Sequence, residues 1–102
     1  MSLPQPDRVF SKNQKIRIST STPFTNGAGT AYDPASVVLK VQTPGGASTA
    51  YTYGVTAGFI KDSTGTYHLD LTGDQAGVWY YEWSSDDGAF DLRAFEVRES
   101  PF

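Results

Sequence analysis

Cysteine is absent from this chain, and with it go disulfide staples, thiolate nucleophiles and every cysteine-containing zinc site. Histidine occurs once, at His68, so there is no histidine pair to hold a metal or to build a nucleophile-base set around. No apolar run of about 18 residues is present to cross a membrane as a helix. Lys and Arg number 8 against 11 Asp and Glu, a formal net charge of −3, and they form no basic block. Nucleic acid and membrane are therefore not expected partners. Met1 to Pro6 has neither the charged start nor the apolar stretch of a secretory signal, so export, if it occurs, is expected by another route or in a particle freed by lysis. Amphipathic helix patterns are close to absent, and no cofactor motif stands out.

What is present is turn chemistry and aromatic mass. Ten Gly, six Pro and many Ser and Thr accompany 14% aromatics, a composition suited to short strands joined by turns. At 102 residues the chain is sized for one domain, able to bury roughly two thirds of its unfolded surface without staples. Its heaviest stretch is Gly77-Val78-Trp79-Tyr80-Tyr81-Glu82-Trp83. Period two puts Trp79, Tyr81 and Trp83 on one face and Val78, Tyr80 and Glu82 on the other, which predicts a central strand with an aromatic core face. Each such ring brings roughly 150–250 Å² to bury.

The other strands are read around it. Residues 1–7, with Pro4 and Pro6, read as an extended arm, 8–98 as the domain and 99–102 as a tail. Arg8-Val9-Phe10 is a short strand, and Gln14 to Thr20 alternates with Ile16 and Ile18 inward. A long loop with Asn26-Gly27 follows, pinned by Phe24. Asp33-Pro34 holds the chain extended ahead of a strand from Val37 to Thr43, with Val37, Leu39 and Val41 inward. Pro44 to Ala47 turns it back on Ser48 to Tyr53, where Tyr51 and Tyr53 share a face. Phe59-Ile60-Lys61 and Thr66 to Thr72 are the next strands, the latter with Tyr67, Leu69 and Leu71 on one side and His68 and Asp70 on the other. After a polar hairpin from Ser84 to Gly88, Ala89 to Arg98 closes the domain. Phe90 and Leu92 have even parity there and Phe95 and Val97 odd, which predicts a β-bulge near Arg93-Ala94. About seven to eight short strands without helix favour an all-β, two-sheet antiparallel sandwich, with an open-ended barrel as the competitor.

Asp74-Gln75-Ala76-Gly77-Val78-Trp79-Tyr80-Tyr81 resembles the start of the sixth strand of immunoglobulin-like domains, and the chain looks like a cysteine-free immunoglobulin-like or fibronectin type III-like sandwich. Over nearly its whole length it also resembles the small immunoglobulin-like proteins of tailed bacteriophage virions. Pro6 to Phe10, Asp33 to Val37, Asp62 to Leu71 and Ala76 to Tyr80 carry that resemblance. It implies a structural module of a particle (head decoration, neck or tail accessory), located in the virion. Its expected partners are other virion proteins or further copies of itself, with no catalytic residue. The alternative is a carbohydrate-binding or adhesin-type sandwich whose tyrosines stack on a host-surface glycan.

Four residues are the candidate contacts: Tyr51, Tyr53 and Tyr80 as exposed anchors, with Tyr51 and Tyr53 equally suited to capping the core edge, and Phe102 as a terminal ring for a neighbour's pocket. His68 is expected at a solvated strand position. Asp86-Asp87-Gly88 with Asp91 gathers oxygen ligands that would suit calcium, although the spacing is that of a hairpin tip where Asp and Gly accept positive φ. A glycosidase needs two of the acids to meet in space, but short loops leave no obvious cleft to desolvate such a pair, so enzymatic activity is not expected.

Overall fold

A computed structural model describes residues 5–6, 8–20, 23–25, 28–86 and 88–99, with the backbone alone at 88–90. Pro4, Asn26-Gly27, Asp87 and Phe102, each given a role above, lie outside the described residues. Eight strands follow in order: β1 (Val9–Ser11), β2 (Lys15–Ser19), β3 (Val37–Gln42), β4 (Ser48–Thr52), β5 (Ile60–Ser63), β6 (Thr66–Thr72), β7 (Gly77–Ser85) and β8 (Gly88–Arg98). They form a five-stranded sheet, β1-β8-β7-β3-β4, and a three-stranded sheet, β2-β6-β5. The architecture is the two-sheet sandwich that the alternating sequence predicts, immunoglobulin-like as the resemblance implies, with β7 at the centre of the larger sheet. One pairing departs from the antiparallel rule: β1 runs parallel to β8, with Phe10 opposite Val97.

The core lies between the sheets. Trp79, Tyr81 and Trp83 from β7 join Val37, Leu39 and Val41 from β3 and Phe95 and Val97 from β8. Facing them are Ile16, Ile18, Tyr67 and Leu69, with Phe24 and Phe59 added from loops. Trp79 stacks on Phe95 at 5.7 Å, and Phe59 meets Trp83 edge-on at the same distance. The Trp79 Nε1–H donates to the Gln75 carbonyl at 2.9 Å, which ties the crossing from β6 into β7 and satisfies a donor that burial would otherwise orphan.

A second tie secures the long segment between β2 and β3. Asp33 Oδ1 accepts the Gly65 N–H at 2.9 Å and the Tyr67 hydroxyl at 3.3 Å, while Oδ2 accepts Lys61 Nζ at 2.7 Å. Gly65 sits at φ +77°, and a Cβ there would meet the Phe24 carbonyl oxygen at 2.9 Å and that of Tyr32 at 3.0 Å, so the β5–β6 turn and this segment fit only with glycine between them.

Three expectations are corrected. The bulge lies nearer the hairpin tip than Arg93-Ala94: Trp83 pairs with Asp91 and Ser84 with Ala89, which leaves position 90 as the extra residue. From Asp91 onward the odd residues face inward, and Leu92 points out with 37% exposure, so its apolar character belongs to the outer surface. His68 is not a solvated position, at 8% exposure. Parity placed it on the correct face, but it stands on the central strand of its sheet, between Ser19 of β2 and Ile60 of β5. The short strand also begins one residue later than predicted, leaving Phe59 as a buried loop residue and Ile60 as an exposed strand residue.

Candidate interaction surface

The outer face of the five-stranded sheet is assembled by register. One row across four strands reads Ser48, Gln42, Tyr80, Ala94, and the next reads Ala50, Lys40, Glu82, Leu92. Small side chains at Ala50 and Ala94 leave the larger ones standing around a shallow hollow of about 210 Å³, lined by Lys40, Gln42, Ser48, Tyr80, Glu82 and Leu92. Tyr80 and Leu92 give it apolar walls. Lys40 and Glu82, directly opposed on neighbouring strands, give it one charge of each sign. A ring, an aliphatic chain and a few convergent polar groups make a surface that can bind, whereas acid–base chemistry needs titratable groups enclosed together.

The three candidate tyrosines do not share this face. Tyr51 pairs with the fully buried Leu39, so it points inward and is half-buried against the core. Tyr53 lies just past β4 on the same side, its ring 5.1 Å from Tyr67 and 5.7 Å from Phe59. Tyr53 nevertheless remains 41% exposed, whereas Tyr80, on the outer face, is half-buried. Period two was read correctly within β4 and β7, but which face of β4 matches which face of β7 depends on pairing through β3.

The outer face of the three-stranded sheet is built differently. Arg17 grips Asp70 in a bidentate pair, Nε to Oδ1 at 3.0 Å and Nη2 to Oδ2 at 3.3 Å, which raises the guanidinium pKa and lowers that of the carboxyl. Beside it the His68 Nδ1–H donates to both Asp62 oxygens at 2.8 Å. At the sheet's end, the hydrogen bond from Lys61, followed by that from Gly65, holds the Asp33 carboxyl below the usual carboxylate range. Burial, reinforced by the charge of Asp33, pushes the Tyr67 phenol up to about 12. Each of these polar groups is matched to a neighbour, so together they form a closed ladder, with Ile60 exposed opposite His68.

At the acidic hairpin, Asp91 is held by Arg93 Nε at 3.0 Å, which withdraws one of the three carboxylates considered for calcium. Among the described residues no cluster of three His, Asp or Glu side chains forms that could hold a metal, and no helix is long and apolar enough to cross a membrane. Sequence reading missed the Asp33 junction. The Asp-Pro pair marked a bend there, but its polar partners come from residues about thirty positions later.

No protein-family model matches the chain, and no curated protein matches it. Among solved structures it is similar to the Lin-41 filamin domain, with a TM-score of 0.66 and 14% identity over 89% of this chain and 83% of that one. It is also similar to part of a Bacteroides vulgatus protein described as a glycoside hydrolase, with a TM-score of 0.58 and 14% identity over 92% of this chain. The chain spans only 17% of that protein's length. Both likenesses are of fold.

Proposed function

We propose that the protein is a non-catalytic interaction module that binds other proteins through the outer face of its five-stranded sheet. The observation that carries this reading is the hollow where half-buried Tyr80 and exposed Leu92 stand beside Lys40 and Glu82. A half-buried tyrosine beside an apolar neighbour is the kind of residue on which binding energy concentrates. The finer reading is an accessory component of a tailed-phage particle, supported by the chain-wide resemblance and by the small cysteine-free sandwich. On a particle with many copies, individually weak contacts suffice through avidity.

The test is co-sedimentation of the purified chain with virions of its source, lacking this protein, alongside Tyr80→Ala. Saturable binding that Tyr80→Ala weakens about tenfold or more, with an unchanged circular dichroism spectrum, is the expected result. Absence of binding by the unaltered chain would overturn the particle reading. The glycan alternative required a strip of three tyrosines. Tyr51 is turned inward, and Tyr53, though 41% exposed, lies on the opposite side of the sheet from Tyr80, so the three rings form no single strip, and a glycan array is the direct check.

A further inference from the structure

We propose that the edge of β4 is a self-pairing surface, on which a second copy of this chain adds its own β4 antiparallel about a two-fold axis at Thr49. This rests on the reading of the protein as an interaction module and names one of its partners. Four strands stand at sheet edges: β1, β4, β2 and β5. Edge strands expose unpaired backbone groups, and proteins protect them with charge, bulges or brevity. β2 carries Lys15 and Arg17; β5 carries Lys61 and Asp62 and a register shift; β1 is three residues long. β4 has none of these devices. From Val41 to Ile60 the sequence contains no Asp, Glu, Lys, Arg or His, and Ser48, Thr49 and Ala50 are all exposed.

Hydrogen bonding narrows the register. Tyr53 N–H donates to the Val37 carbonyl and Thr43 N–H to that of Ala47, so by antiparallel alternation the odd residues of β4 bond to β3. Ser48, Ala50 and Thr52 then turn their N–H and C=O groups to the open edge. Thr52 is already satisfied: its N–H donates to Thr56 Oγ1 at 3.0 Å, and its carbonyl accepts from Val55 and Thr56. Among the described residues this leaves Ser48 and Ala50 with free groups. An antiparallel partner centred on Thr49 places Ser48 opposite Ala50 of the second copy and Ala50 opposite its Ser48. All four free groups on each side are paired, and neither copy's Thr52 is needed. The same register sets Tyr51 beside Ala47 of the second copy, large against small. A self-complementary interface brings each charge near its own copy, so a charge-free segment is what such pairing requires.

Small edge contacts give weak association, so sedimentation velocity over a concentration series is the measurement. The mass should rise from 11.1 kDa toward twice that value. Thr49→Lys, which puts two ammonium groups at the axis, should weaken dimerisation about tenfold or more without changing the fold. Because the chain has no cysteine, Thr49→Cys provides a position-specific probe. Directly opposed residues at a non-hydrogen-bonded pair lie about 4.5 Å apart at Cα, within disulfide reach. On mild oxidation it should form covalent dimers faster than Ala50→Cys. An unaltered chain that stays monomeric throughout, a dimer indifferent to Thr49→Lys, or equal cross-linking by the two cysteine variants would each overturn the proposal. Virion co-sedimentation is read separately: a chain that stays monomeric yet binds particles would refute the self-pairing and leave the module reading standing.

Discussion

The two sheets share one core but finish their outer surfaces in opposite ways. On β2-β6-β5 the outward polar side chains are matched, Arg17 ion-paired with Asp70 and His68 hydrogen-bonded to Asp62, with Ile60 exposed beside them, and both edge strands carry Lys, Arg or Asp. On the larger sheet the outward rows hold Tyr80, Leu92 and small residues around a hollow, and the β4 edge is uncharged. A surface of paired charges has its electrostatic partners already and loses them on binding, which opposes docking. An uncharged edge, beside a hollow whose charges are the single opposed pair Lys40 and Glu82, loses less when it is covered. One sandwich thus presents a closed side and an open side.

The contrast can be broken from inside, at the core common to both sheets. Trp83 is fully buried, reaches Phe59 and is flanked by Leu39. Trp83→Ala should cost about 3–5 kcal/mol in denaturant unfolding and lower the stability of both sheets together. Loss of structure confined to one sheet would contradict a shared core.

Gly65→Ala tests the smaller sheet alone. The new Cβ would press on the Phe24 and Tyr32 carbonyl oxygens, in a left-handed backbone conformation that alanine disfavours. A cost of about 1–3 kcal/mol is expected, with hydrogen exchange accelerating first in the segment from Phe24 to Tyr32. A variant as stable as the parent would mean that the junction is looser than its geometry.

Asp33→Asn gives a smaller and pH-dependent change. The carboxyl titrates below its ordinary value in the folded chain, so its contribution is present above the unfolded pKa of about 4 and is lost as the pH falls through the folded one. The variant should therefore lose stability at neutral pH and show a shallower acid limb in thermal melts. On the alkaline side the raised Tyr67 phenol works in reverse. Its contribution is full below the ordinary value of 10.0 and disappears as the pH rises through about 12, a limb that Tyr67→Phe should remove.

The smallest effect is expected at the charge ladder. Arg17 is exposed, and its pair with Asp70 is screened by water and salt. Arg17→Ala should leave the melting midpoint within error at physiological salt. A clear drop would mean that the ladder holds the sheet together as well as closing its face.

Much of the sandwich was legible in the sequence. Alternation at Ile16 and Ile18, at Val37, Leu39 and Val41, and at Trp79, Tyr81 and Trp83 assigned inward faces correctly, because one pleated strand fixes its own parity. The acidic hairpin and the aromatic weight of β7 were equally plain. Leu92 was misread because apolar character alone does not say which side of a sheet it belongs to. His68 was misread because parity gives a face and says nothing of what covers it. The Tyr80 hollow was only half legible: the outward position of Tyr80 followed from β7 alone, but its neighbours come from three other strands.

By itself, then, the sequence determined the strands, their inward residues and the charge-free run from Val41 to Ile60, since each depends on residues adjacent in the chain. Only the tertiary structure decided which strands are edges, that Tyr51 and Tyr80 lie on opposite faces of one sheet, and that Asp33 meets Lys61, Gly65 and Tyr67. Those outcomes depend on register between distant segments, where a shift of one residue exchanges core for surface and a local pattern cannot specify the partner.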